Sequence, residues 1–198
     1  MIWIYGASGH GKVILDILEW QGKAVFGFID DDESINRFMG YQVIHKRELV
    51  SPNATVIMGI GNNAIREKVV GNNTFTYINA IHPKAVVSKF TNMGEGIVVM
   101  AGAIVQAGTT LGNHVIVNTG ANIDHDCKIG DFVHISPGST LCGNVTVGKG
   151  SWIGAGTTII QGVTIGANVV VGAGSVIRKN VPDPVMIVGN PPEIKKRF

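Results

Sequence analysis

Charge is scarce in this chain of 198 residues: Asp, Glu, Lys and Arg together make up 15% of it, against roughly a quarter in ordinary soluble domains. So little charge beside 45% apolar residues excludes a disordered, self-repelling chain. The formal charge of +2 excludes the clustered Lys and Arg of a nucleic-acid binder. Cysteine is limited to Cys127 and Cys142, too few for a disulfide framework, and both read as reduced thiols. Apolar runs stop short of the ~20 residues that cross a bilayer, so no membrane segment is expected. Residues 1–5 (MIWIY) have neither the basic start nor the cleavage site of a secretory leader, and the expected location is the cytoplasm. What is abundant is glycine, with 27 residues, in company with Val and Ile.

Glycine among β-branched residues calls for a search for period before any element is assigned. From Ile81 to Ile177 every sixth residue is large and apolar, Val99, Val117, Ile135, Ile153 and Val171 among them. The place four residues further on is small or β-branched throughout, as at Ala103, Thr109, Cys127, Ser139, Ser151 and Ser175, which suits a narrow interior. Glycine often follows the apolar place directly (Gly94, Gly112, Gly130, Gly148, Gly166), where the chain must turn sharply. This is a β-solenoid: short parallel strands stack, and each coil buries its apolar row on the next. A plain scaffold or an ice-binding solenoid would show monotonous outer faces, and these are varied.

The first eighty residues have another texture. An apolar β-prone stretch (residues 1–5) runs into the glycine-rich turn Gly6–Lys12, and Val13–Trp20 carries apolar residues at helical spacing. Strands are expected at 24–29 and 55–60, the second leading through Gly61-Asn62-Asn63 into a helix over 64–70. This order describes a Rossmann-like α/β unit whose first turn lets backbone N–H groups approach a phosphate. The turn fits the spacing of a nucleotide-triphosphate loop, but Val13 stands where the Mg²⁺-binding hydroxyl belongs. Its glycine order is also not that of a dinucleotide fold, which argues against NAD.

Two histidines fall in the middle of the solenoid outside its interior rows, His125 and His134, in the polar neighbourhood of Asn118, Asp124, Asp126 and Asp131. An imidazole next to a carboxylate suits a general base, because the anion orients the ring and raises its proton affinity. Eighteen residues after His125 comes Gly143, which stacks on the same corner one coil later. A glycine there leaves room for a thioester and presents an unobstructed N–H to its carbonyl oxygen.

The hexads resemble the hexapeptide repeat of bacterial acyltransferases, which implies a left-handed parallel β-helix of three sides, assembled as a homotrimer with active sites between subunits. GASGHG at 6–11, Ile29-Asp30-Asp31, GIGNN at 59–63 with Arg66, Asn118-Thr119, His125-Asp126-Cys127, His134 and Gly143-Asn144-Val145 together resemble one family across nearly the whole chain. It is that of sugar-nucleotide acetyltransferases of the sialic-acid O-acetyltransferase type, with the nearest likeness to the UDP-4-amino-4,6-dideoxy-N-acetylglucosamine N-acetyltransferases of bacillosamine synthesis. That resemblance implies acetyl transfer from acetyl-CoA to a sugar 4-amine, without a metal, with His125 as base and Asp126 supporting it. Where the bacillosamine enzyme has Glu, this chain has Asp126, one methylene shorter. The resemblance further places His134 near the thioester, Gly143 N–H at its carbonyl, and Ala155 and Ala173 along the pantetheine arm. Ser8, Gly9 and His10 would meet the diphosphate–sugar, Asp30 and Asp31 the base and ribose, and Gly61 the nucleotide. Lys195, Lys196 and Arg197 are candidates for the 3′-phosphate of CoA.

The expected organisation is a sugar-nucleotide-binding unit over 1–80, the β-helix over 81–182, and a tail over 183–198. Alternatives are acetylation of a GDP- or dTDP-linked amino sugar, transfer to a sugar hydroxyl, and a metal-dependent hydro-lyase on the same helix with His114, His125 and His134 as ligands. The last lacks the short-spaced histidine pair of the gamma-class carbonic anhydrases.

Overall fold

In the computed structural model, residues 2–45, 49–51 and 53–197 are described. The N-terminal unit runs β1 (Ile2–Tyr5), α1 (Gly9–Trp20), β2 (Val25–Ile29), β3 (Arg37–Phe38), β4 (Tyr41–Ile44), β5 (Thr55–Met58), α2 (Asn63–Gly71) and β6 (Thr76–Tyr77). These strands form one sheet in the order β3-β4-β2-β1-β5-β6, parallel except for the short β3–β4 pair. The expected strands and helices are present, and α1 begins earlier than expected, at Gly9, so half of the glycine-rich segment is its first turn. Glycine at position 11 is a packing requirement: a Cβ there would collide with the carbonyl oxygen of Gly6. The β3–β4 hairpin and β6 were not expected. All three are short, and neither an apolar run nor a period marks them.

From Ala80 onward the chain winds as a three-sided left-handed β-helix of two-residue rungs. The first face carries Ala80–Ile81, Val98–Val99, Ile116–Val117, His134–Ile135, Trp152–Ile153 and Val170–Val171. The second carries rungs from Val86–Val87 to Val176–Ile177, and the third from Asn92–Met93 to Thr164–Ile165. Each rung pairs in parallel with the one a coil later, as Val98 with Ile116, Ile116 with His134, and His134 with Trp152. The second residue of each rung points inward, so the sixth-residue row forms the buried core with Val99, Val117, Ile135, Ile153 and Val171. Burying each such side chain contributes roughly 1.5–3 kcal/mol. Interior hydroxyls bond to the next coil: Ser139 Oγ donates to Gly154 O (2.8 Å) and Ser151 Oγ to Gly166 O (2.7 Å). Cys127 occupies the same row, with its thiol 3.3 Å from Cys142 O, which gives this thiol a structural place.

The first residue of each rung points outward. On the first face, Ala80, Val98 and Ile116 are buried because α1 lies over them, packing Ile14 and Leu18 into the same cluster. His134 is the next outward position, at the border of that cover, and Trp152 follows at 47% exposure. Residues Val185–Val188 and Glu193–Arg197 extend this face as an antiparallel pair. No helix among the described residues is long and apolar enough to cross a membrane.

Candidate active site

The turn between the second and third faces carries His125 and Asp126. Asp126 has φ +58, a left-handed turn conformation, and its N–H donates to Ala107 O one coil earlier. There its carboxylate lies over Gly108, whose absent Cβ would meet Asp126 Oδ1. Asp126 Oδ2 is 2.8 Å from His125 Nδ1, so aspartate reaches the ring despite being a methylene shorter than glutamate. The His125 side chain is 55% exposed, and the hydrogen bond to Asp126, helped by the charge of Asp124, raises its pKa above the ordinary value. Its ring lies over Gly143: a Cβ at 143 would be 2.6 Å from both Cε1 and Nε2. The space left by glycine is therefore filled by the imidazole itself rather than standing open. The buried Gly143 N–H makes no hydrogen bond among the described residues.

A second cluster sits where the N-terminal unit meets the first face. His134 is buried, with Nδ1 3.3 Å from Gly61 O and Nε2 3.0 Å from the Asn118 amide nitrogen. Burial, with the positive charge of Arg66 beside it, pushes its pKa down to about 4, so it is neutral at ordinary pH. Trp152 stacks on it, centroids 5.9 Å apart and planes within 9°, its indole N–H held by Ser136 Oγ at 2.7 Å. Sequence reading passed over Trp152, although its place one coil beyond His134 was a signal. His10, in the first turn of α1, belongs to this cluster: burial, then His134 and Arg66, push its pKa down to about 3.

Above them opens a cleft of about 390 Å³ between the ends of β1, β2 and β5, lined by Gly6, Ser8, Asp30, Asp31 and Gly61 on its polar side and by Ile65 and Val69 on the other. Gly9 and His10 do not line it. Both Asp30 oxygens are engaged by the backbone, Oδ2 by Ala7 N–H (2.7 Å) and Oδ1 by Asp32 N–H (3.0 Å), so this carboxylate shapes the glycine-rich turn. Asp31 is exposed and takes the Tyr5 hydroxyl at 3.0 Å. Ser8 stands at the N-cap of α1 without a side-chain capping bond and lines the cleft at the helix N-terminus.

Ala155 and Ala173 are exposed and stack a coil apart on the edge between the first and second faces. Lys195 pairs with Glu193 at 2.6 Å in the terminal strand. Within one chain the two histidines stay apart, His134 on the first face and His125 on the edge opposite it. His114, the third candidate ligand of the hydro-lyase reading, stacks on Phe132 and meets Tyr77 edge-on under the N-terminal unit. Among the described residues no group of three or more His, Cys, Asp or Glu side chains is arranged to hold a metal ion.

Comparison with known proteins agrees with both halves. Residues 1–72 match the PglD N-terminal domain, and residues 108–143 and 144–179 match the bacterial transferase hexapeptide. A UDP-N-acetylbacillosamine N-acetyltransferase of Bacillus subtilis is 38% identical over 110 residues, which is 50% of each chain. The match thus spans about half the length of that curated relative. Solved structures align over nearly everything. Perosamine N-acetyltransferase of Caulobacter crescentus, an Asn-for-His variant in complex with CoA and GDP-perosamine, is 37% identical with a TM-score of 0.92, covering 98% of this chain and 96% of that one. The acetyltransferase domain of PglB from Neisseria gonorrhoeae, in complex with acetyl coenzyme A, is 40% identical with a TM-score of 0.91, covering 98% of both.

Proposed function

The chain belongs to the bacterial hexapeptide transferases that carry a PglD N-terminal domain, and from that premise we propose that it moves an acetyl group from acetyl-CoA to the 4-amino group of a nucleotide-linked 4-amino-4,6-dideoxy sugar, UDP-linked by preference. The observation that carries this reading is the exposed imidazole of His125, held at Nδ1 by Asp126 and lying against Gly143, whose N–H makes no hydrogen bond among the described residues. Asp126 fixes the tautomer, so Nε2 is the nitrogen that meets substrate. The sugar amine attacks the thioester carbonyl while Nε2 takes its proton. The oxyanion forms against Gly143 N–H once the ring moves off it. Collapse expels the thiolate of CoA, which takes the proton back from the imidazolium. Ala155 and Ala173 line the pantetheine arm, and His134, neutral and with both ring nitrogens engaged, packs near the thioester.

Residues 1–80 serve the nucleotide sugar, with Ser8 toward the diphosphate and sugar, Gly9 and His10 backing it from the first turn of α1, Asp31 toward ribose and base, and Gly61 toward the nucleotide. Residues 81–182 serve acetyl-CoA, with 183–198 as a tail. Because His125 and the His134 cluster are on opposite sides of one prism, the reading also requires a trimer, in which the edge of one copy faces the first face of the next. Its place is the cytoplasm, where acetyl-CoA and nucleotide sugars are made. The test is thiol release from acetyl-CoA with UDP-, dTDP- and GDP-linked 4-amino-dideoxy sugars and their 4-hydroxy counterparts. Rapid release with an amino sugar is expected. Release with hydroxy sugars alone would move the reaction to O-acetylation, and no release with any acceptor would refute the reading.

A further inference from the structure

Resting on the assignment of the cleft to a nucleotide, we propose that Arg66 is a positioning residue that locks the loop before α2, so that one rigid segment forms the cleft wall and the support of His134 together. Arg66 is 1% exposed, on α2, and touches neither the cleft nor solvent. Its guanidinium has five N–H groups, and it makes five contacts. Nη1 donates to Ile60 O (3.0 Å) and Gly61 O (3.2 Å). Nη2 donates to Asn63 Oδ1 (2.9 Å) and Phe132 O (3.0 Å), and Nε to His114 O (3.1 Å).

Every one of these acceptors is uncharged. A buried cation without a carboxylate is costly, so its presence here calls for a reason other than ion pairing. The acceptors supply one. Two lie in the loop, one is Asn63 at the start of α2, and two are the carbonyls of His114 and Phe132, residues one coil apart whose left-handed turns (φ 55 and 57) expose them side by side. Only a planar fork spans both sets; an ammonium is a single point. The loop that it holds presents Ile60, Gly61 and Asn62 to the cleft, while Gly61 O faces His134 Nδ1 at 3.3 Å. A second tie acts where the loop enters α2: the Asn63 amide donates to Gly150 O (3.0 Å) and Ser151 O (3.1 Å) on the coil beyond. The loop is thus fastened to three successive coils.

The test compares Arg66→Lys and Asn63→Ala with the wild-type protein, measuring calorimetric binding of UDP and GDP, both KM values, and the melting temperature. Loosening the loop by a fraction of an ångström should weaken nucleoside-diphosphate binding and raise KM for the nucleotide sugar about tenfold in Arg66→Lys, and less in Asn63→Ala. KM for acetyl-CoA should rise clearly less, because His134 is the only residue assigned to acetyl-CoA that leans on this loop. A lower melting temperature with both KM values unchanged, or with both raised alike, would make Arg66 mere glue between the units and overturn the proposal. Should Arg66→Lys fail to fold, the same split is required of Asn63→Ala. Wild-type protein that binds neither diphosphate would overturn it as well. Split diphosphate binding without turnover of any sugar would uphold Arg66 and refute the acetyl-transfer reading instead.

Discussion

The edge that carries His125 and the face that carries His134 are built from the same repeat, half a coil apart, yet they prepare their imidazoles for opposite work. On the edge, a left-handed turn projects His125 into solvent and brings a carboxylate to its Nδ1, which makes the ring more basic. On the face, the N-terminal unit covers His134, a backbone carbonyl and an amide occupy its nitrogens, and burial beside Arg66 keeps it uncharged. The repeat decides only where a side chain emerges. What covers that place decides its chemistry, and here the cover belongs to a different unit of the chain.

The largest effect expected from breaking this contrast is at the edge. His125→Ala should lower kcat by about two orders of magnitude or more, the usual loss of a general base, with an unchanged melting temperature, since an exposed turn residue contributes little to packing. Unchanged turnover in a folded variant would remove His125 from the chemistry. A smaller, more specific effect is expected from Asp126→Asn. The base must be neutral to accept a proton, so the acid limb of kcat/KM lies above the ordinary histidine value in the wild type. Without the carboxylate that limb should move to lower pH while the plateau falls about tenfold. A limb that stays in place would show that another group titrates.

The smallest effect concerns the covered histidines. His114 and His134 are held at about 4 and His10 at about 3, below the ordinary 6.5 that each has when unfolded. Between those values the unfolded chain binds protons that the folded chain refuses. Stability should therefore be full above about pH 6.5 and decline as pH falls toward 4, by up to about 1.4 kcal/mol per pH unit for each histidine. His114→Phe, which keeps the stack on Phe132 and removes an unpartnered buried nitrogen, should flatten the fall in melting temperature over that range. An equal fall in the variant would assign it to other groups.

How much of this could be read from the residues follows the same division. The solenoid was legible because its period repeats through some hundred residues, and the pairing of His125 with Asp126 because neighbours in sequence are neighbours in a turn. The cover over His134 was not: its Nδ1 partner Gly61 lies in another unit, and no local pattern couples the two. The filled space at Gly143 was hidden too, because stacking by eighteen aligns backbones and leaves open where the imidazole rests. Asp30 and Asp31 looked alike in sequence, and only the fold separates the carboxylate bound to the turn from the exposed one. The β3–β4 hairpin and β6 escaped because they are short and, unlike the two-residue rungs of the solenoid, recur nowhere in the sequence.

Under the proposed function, the His125 edge and the His134 face work together only between copies of the chain. This arrangement is tested most directly by mixing two variants, His125→Ala, disabled at the edge, and His134→Ala, disabled at the face, after dissociation and reassembly. In equal random mixture about a quarter of the sites would join an intact edge to an intact face. Turnover should recover toward that fraction from two parents with little activity of their own. A mixture no more active than its parents, in a sample shown to contain mixed oligomers, would contradict it.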